Sequence, residues 1–165
     1  MFRVSQRTDD QSLLRFFNKD PVRWVDSHQL GLGLAAGSIR REWIWLALID
    51  DKPVARAVWW GPAGSVYPIE LRCLIVAPSI PHPEVWGAAI IRSAHRAFVA
   101  EGALFAPEFV VTVDSGWRDD RPTARAVAWR QAAARDSGVT FVLHELEDAR
   151  QTALAEDLPG AAAHA

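Results

Sequence analysis

Cysteine is nearly absent from this sequence: Cys73 is the only one in 165 residues. That excludes a disulfide framework and any zinc site built from several thiolates. Lysine is scarce as well, since arginine supplies 16 of the 18 basic residues, and with 20 acidic residues the formal net charge is −2. So balanced a charge argues against a binder of nucleic-acid backbone, which would carry a basic face. Long apolar runs are also missing. The run Trp43 to Ile49 falls far short of the ~20 residues that span a bilayer, and Met1 to Asp10 lack the apolar stretch of a signal peptide. The five histidines are scattered with no pair at ligand spacing, so no metal site is expected. The chain reads as cytoplasmic, with neither membrane nor nucleic acid as partner.

What the sequence has in quantity is apolar surface, half of its residues, including eight tryptophans against one tyrosine. Each indole buries a large area and brings one donor to satisfy, so the tryptophans belong in a core or along a cleft. The length suits one domain, because compact domains cluster at roughly 100–150 residues. Residues 1–147 are read as that domain, and 148–165, polar and then alanine-rich, as a flexible tail.

Along the chain, Phe2 to Gln6 alternates as a short strand. Thr8 or Asp9 can cap a helix carrying Leu13, Leu14, Phe16 and Phe17. Asp20-Pro21 restarts a helix with proline at its first position, bearing Val22, Val25 and Leu30. That helix weakens over Gly31 to Gly37, where three glycines lower its stability. Trp43 to Ile49 and Val54 to Trp60 form a hairpin about the turn Asp50 to Pro53, and a third strand runs from about Tyr67 to Val76. A long amphipathic helix spans Glu84 to Glu101, with Trp86, Ile90, Ala94 and Phe98 at helical spacing and Gly102 closing it. Phe109 to Val113 is a short strand apolar enough for burial on both faces. A helix over Thr123 to Ser137, stopped by Gly138, leads to a last strand, Val139 to Leu146. The class is α/β, with about six strands in a mixed sheet and about four helices.

Several chemistries lack their motifs. There is no G-x-S-x-G elbow and no Walker loop. Gly31 to Gly37 is G-x-G-x-x-x-G beyond a helix, not the dinucleotide loop that follows a strand. The informative stretch is Glu70 to Gly102. Its strand reads E-L-R-C-L-I-V-A-P, and Glu70, Leu71, Leu74, Val76 and Pro78 match the pattern E-[LI]-x-x-L-x-V-x-P. With the small-residue helix start W-G-A-A-I-I and the order of elements, residues 2–146 resemble the GNAT (general control non-repressible related N-acetyltransferase) superfamily.

That resemblance implies a set of expectations. The fourth and fifth strands would splay near Leu74, and the pantetheine arm of acetyl-CoA, or another acyl-CoA, would lie between them. Backbone from Leu74 through Ile75 to Val76 would pair with it, and the N–H near Leu74 would polarise the thioester carbonyl. Glu70 falls where a general base would deprotonate a small-molecule amine acceptor; the alternative is a solvated strand-end carboxylate. The pyrophosphate loop has two registers. One is Glu84, Val85, Trp86, Gly87, Ala88 and Ala89; the other runs from His82 to Gly87. In either, backbone N–H groups and a helix N-terminus would face the phosphates, with Glu84 repelling them and Pro81 and Pro83 offering no donors.

The last helix has no tyrosine to protonate a leaving thiolate. Cys73 is a candidate substitute or even a nucleophile, and otherwise a small buried hydrophobe. The acceptor side offers Trp24, Trp59, Trp60, Arg23, Arg40 and Arg41, which either line a cleft suited to an apolar amine or pack the helices on the sheet. His28 and His95, both on helices, are expected at the surface or behind the site. The expected activity is N-acyl transfer by direct attack in a ternary complex. The alternative is a catalytically inactive domain of the same fold serving as a binding module. A homodimer is compatible with either.

Overall fold

The computed structural model describes residues 1–16 and 19–146. Phe17 of the first expected helix and the 148–165 tail therefore lie outside the described residues. The architecture is α/β: a six-stranded mixed sheet, in strand order β1 to β6, and four α-helices. In chain order these are β1 (Phe2–Val4), α1 (Asp10–Arg15), α2 (Ser27–Ala36), β2 (Ile44–Ile49), β3 (Lys52–Trp60), β4 (Glu70–Val76), α3 (Pro83–Ala100), β5 (Glu108–Asp114), α4 (Arg121–Ser137) and β6 (Phe141–Leu146).

Strands β1 to β4 pair antiparallel, and β4, β5 and β6 run parallel, as connections through helices require. The β2–β3 hairpin closes on Asp50 and Asp51, both with positive φ (49° and 63°). That is the backbone twist a two-residue hairpin turn needs, and one that Asp tolerates better than most residues.

Two apolar layers cover the sheet. On one face Trp43, Trp45, Trp59, Leu71, Leu74 and Val76 meet Ile90, Ala94 and Phe98 of α3 and Val127 and Ala134 of α4. On the other, Ile44, Leu46, Val58, Cys73 and Ile75 pack under Leu13 of α1 and Leu30 of α2. Cys73 is thus a small core residue, buried and free.

The helix expected to start at Pro21 does not. Residues 20–26 are non-helical, and α2 begins at Ser27 behind an Asp26 cap. Asp26 Oδ1 accepts from Gln29 N–H at 2.8 Å and Gln29 Oε1 accepts from Asp26 N–H at 3.1 Å, a reciprocal capping box. Nor does the helix give way at its glycines. It runs to Ala36 and stops on Gly37 in the left-handed region, φ 76°. Gly33 is there because Ile39 lies over it: a Cβ at Gly33 would stand 2.5 Å from Ile39 Cγ1.

One irregularity sets up the site. Val58 faces Cys73 while Trp59 faces Leu71, so Arg72 is an extra residue in β4, a β-bulge that bends and twists the strand. It also switches parity, putting Leu71, Leu74 and Val76 on the α3–α4 face and Cys73 and Ile75 on the other. Pairing between β4 and β5 consists of two rungs, Glu70 with Glu108 and Leu71 with Phe109, and ends where the bulge begins. Strands β5 and β6 stay paired over six.

Candidate functional site

Beyond Leu71 the two strands leave a gap, and the chain itself enters it. The Arg23 N–H donates to the Thr112 carbonyl of β5 at 3.0 Å. Val22 is buried and packs in the core layer of the α3–α4 face, although α1 and α2 lie on the other. The connection between those helices therefore reaches through the plane of the sheet. Asp20 enters with it: its Oδ1 accepts from the Val22 N–H at 3.2 Å, and its Oδ2 takes Arg130 Nη2 at 2.6 Å.

Arg130, on α4, is the gap's second occupant. Its side chain is 1% exposed and that of Asp20 8%. Nε and Nη2 both donate to the Leu74 carbonyl, at 3.1 and 2.8 Å, and Nη1 donates to Ala126 O at 3.1 Å. Burial pulls the guanidinium's pKa down, and the Asp20 charge and hydrogen bond oppose the fall, so it stays a cation. A β-strand residue points its N–H and C=O to the same edge. The Leu74 amide thus faces the gap together with the carbonyl that Arg130 holds.

Over the mouth of the gap, on the α1–α2 side, lies a cavity of about 430 Å³. Trp24 and Val25 of the connection form one wall, Gln29 and Ile39 another, and Glu70, Arg72, Val110, Thr112, Arg23 and His144 complete it. Glu70 Oε2 accepts from Arg72 Nε at 2.6 Å, and the Arg72 guanidinium stacks 3.5 Å above the Trp60 ring. Arg23 pairs with Asp114 at 2.7 Å in an exposed contact, which salt would screen. Glu70 and Arg72, two residues apart in β4, share a face by the ordinary alternation of a strand.

The other expected site residues fall in three groups. Ile75 and Val76 follow Leu74 beyond the divergence, their side chains in opposite core layers. Val85, Trp86, Gly87, Ala88 and Ala89 occupy the first turns of α3, where Val85 is exposed, Trp86 meets the Phe2 ring at a tilt with centroids 5.8 Å apart and Ala89 is half-buried. Gly87 and Ala88 are buried, and a Cβ at Gly87 would lie 3.1 Å from both Leu74 Cδ2 and Ala133 Cβ, so that glycine lets α3 approach β4 and α4. The helix entrance is a weak anion site: Pro83 has no N–H, Val85 N–H is spent on His82 O at 3.0 Å, and the Glu84 carboxylate stands 3.5 Å from His82 Nδ1.

Of the acceptor-side candidates only Arg23 and Trp24 reach the cavity. Arg40 stacks on Trp43 and Arg41 pairs with Asp10. Trp59 is a core residue whose Nε1 donates to His95 Nε2 at 3.0 Å, and Trp60 sits under Arg72. His28 is exposed on α2. Burial lowers the His95 pKa to about 4. Among the described residues no group of three or more His, Cys, Asp or Glu could hold a metal ion, and no helix is long and apolar enough to cross a membrane.

Sequence reasoning missed Asp20, Arg130, Gln29, Thr112 and His144, and with them Arg56. That arginine is 0% exposed, in the middle of β3. It donates to Leu13 O at 3.2 Å and to Val25 O, its Nε has no partner among the described residues, and Trp24 and Phe16 flank the guanidinium at 5.7 and 5.8 Å. A signal existed: Arg130 falls on the stripe Ala126, Val127, Ala133 and Ala134, and Arg56 sits between Ala55 and Ala57 in a strand buried on both faces. No family model, curated protein or solved structure matches the chain.

Proposed function

We propose that this chain is an acyl-CoA-dependent N-acyltransferase on a GNAT-like scaffold, joining an acyl group to a small amine by direct attack. The observation that carries the reading is the parting of β4 from β5 after two rungs, which leaves the Leu74 backbone facing a gap instead of a neighbouring strand. Acetyl-CoA, or another acyl-CoA, would lay its arm there, where an amide N–H can stabilise the thioester oxygen as charge develops. Glu70 stands on the adjoining cavity with one carboxylate oxygen on Arg72. Its second oxygen would take the acceptor's proton, directly or through a water. Trp24, Val25, Ile39 and Val110 offer an apolar wall, while Arg23 and Arg72 disfavour a polycation. An amine with an apolar body fits best.

A second reading, a GNAT-like domain that binds without catalysing, is favoured by a separate observation: Arg130 and Asp20 already fill the gap. Calorimetric titration with acetyl-CoA and desulpho-CoA, followed by a thiol-release assay over a panel of amines, separates the two. The enzyme reading expects saturable binding and amine-dependent thiol release. Absence of binding by either compound up to millimolar concentration would defeat it.

A further inference from the structure

We infer that the segment Asp20 to Trp24 is an autoinhibitory plug of the β4–β5 gap, which must swing out before a thioester arm can reach Leu74. The inference rests on the acyltransferase reading for the identity of what displaces it. It does not rest on that reading for the plug itself.

The segment is placed like a ligand. It crosses the sheet plane between two strands that part, bonds one of them through Arg23 N–H to Thr112 O, and buries Val22 in the far core layer. Its Asp20 carboxylate supplies the counter-charge that Arg130 needs where it caps the Leu74 carbonyl. Yet the segment is lightly held. It has no helical or strand ladder, and Pro21 and Arg23 are exposed. Local openings are drawn from such stretches, with few buried apolar contacts and few backbone bonds.

The ends, by contrast, are pinned. Arg56 donates to Leu13 O at the close of α1 and to Val25 O ahead of α2, so Asp20 to Trp24 can leave while both helices stay seated. An ion pair this deep leaves an uncompensated buried charge when one partner goes. Whatever replaces Asp20 must therefore bring an oxygen acceptor of its own to Arg130, as the amide carbonyls or phosphates of an acyl-CoA do. While the plug is seated, apparent affinity falls by the fraction of molecules that are open. The same segment carries Trp24, a wall of the acceptor cavity, so withdrawal also reshapes the place where the amine would bind.

The test combines amide hydrogen exchange with calorimetry on the whole chain, wild type, Asp20→Asn and Val22→Ala. Without ligand, the Arg23 amide should exchange at least a hundredfold faster than that of Ile90 in the middle of α3. Each substitution should speed Arg23 at least tenfold further and leave Ile90 within about threefold. Saturating acetyl-CoA should speed exchange at Arg23 in the wild type, where a ligand ordinarily slows it, and should bind both variants at least tenfold more tightly. An Arg23 amide as slow as Ile90 and unmoved by either substitution overturns the plug, as does acetyl-CoA binding that leaves Arg23 protection unchanged or raises it. Rapid, substitution-sensitive exchange with no acetyl-CoA binding by any of the three proteins keeps the plug and discards the acyltransferase reading.

Discussion

His95 should make the fold sensitive to acid in a window that no surface histidine would produce. Trp59 Nε1 donates to its Nε2 at 3.0 Å, so the neutral ring carries its proton on Nδ1. A second proton would set N–H against N–H, in a ring packed edge-on to Trp59 and beside Phe98. Arg92 and Arg96 share its surface groove and would repel an imidazolium. Burial pushes the pKa from 6.5 to about 4. Between those values the unfolded chain holds one more proton than the folded one, so stability falls as pH falls, by about 1.4 kcal/mol per pH unit. The contribution is whole above pH 6.5 and on the order of 3 kcal/mol is gone near pH 4.

The assay is urea unfolding of the wild type and His95→Gln at pH 7.5, 6.0, 5.0 and 4.5. Glutamine keeps an oxygen for the indole N–H but cannot titrate. The stability difference between the two proteins should shift in favour of the variant by about 2–3 kcal/mol between pH 7.5 and 4.5, roughly 1–2 M in urea midpoint. A difference constant to within about 0.5 kcal/mol across that range would refute the reasoning, since every other titrating group cancels in the comparison.

Other substitutions probe other joints. Glu70→Gln should lower turnover at least tenfold with little change in acetyl-CoA affinity, as loss of a general base does; equal turnover numbers would remove Glu70 from the reaction. Gly33→Ala should destabilise by about 1–3 kcal/mol, because the methyl falls 2.5 Å from Ile39 Cγ1 and overpacking outweighs the gain of about 1 kcal/mol in helix propensity. The double variant with Ile39→Ala should lose less stability than the sum of the two single losses, which thermal unfolding reads directly. Asp26→Ala should cost about 1 kcal/mol by removing the α2 cap, seen as a lowered urea midpoint.

The elements that end on chemistry were legible in the sequence. Pro83 and Gly102 bound α3, Gly138 stops α4, and the Asp50-Asp51 turn sets the hairpin. The start of α2 was not, because Asp20-Pro21 offers a start six residues before the Asp26 cap on which the helix begins. The gap decides between them, because the residues after Asp20 have to be extended to reach Thr112 O, and a helix there would withdraw Val22 from the far core. The glycines of α2 mislead for a similar reason: packing of Ile39 onto Gly33 overrides the residue's poor helix propensity. Glu70 was visible because it opens a patterned strand. Arg130 and Arg56 were not, since an arginine on an apolar stripe reads as an interruption until its acceptors, carbonyls distant in sequence, are brought to it.

The two buried arginines bear unequally on the site. Arg130 has a carboxylate partner and four bonds to oxygen, Asp20 among them. Among the described residues Arg56 has carbonyls and aromatic rings but no carboxylate partner, and its Nε is unsatisfied. A buried cation held only by carbonyls is costly, and a hydrocarbon of like volume would serve the core layer around Leu46 and Ile75 better. What the hydrocarbon could not do is tie Leu13 O to Val25 O. Arg56→Met should therefore leave global stability within about 2 kcal/mol of wild type, while exchange at the Arg23 and Val25 amides rises together. If stability collapses instead and those amides keep their rates relative to Ile90, Arg56 is a core residue, and the hinge belongs elsewhere in the connection.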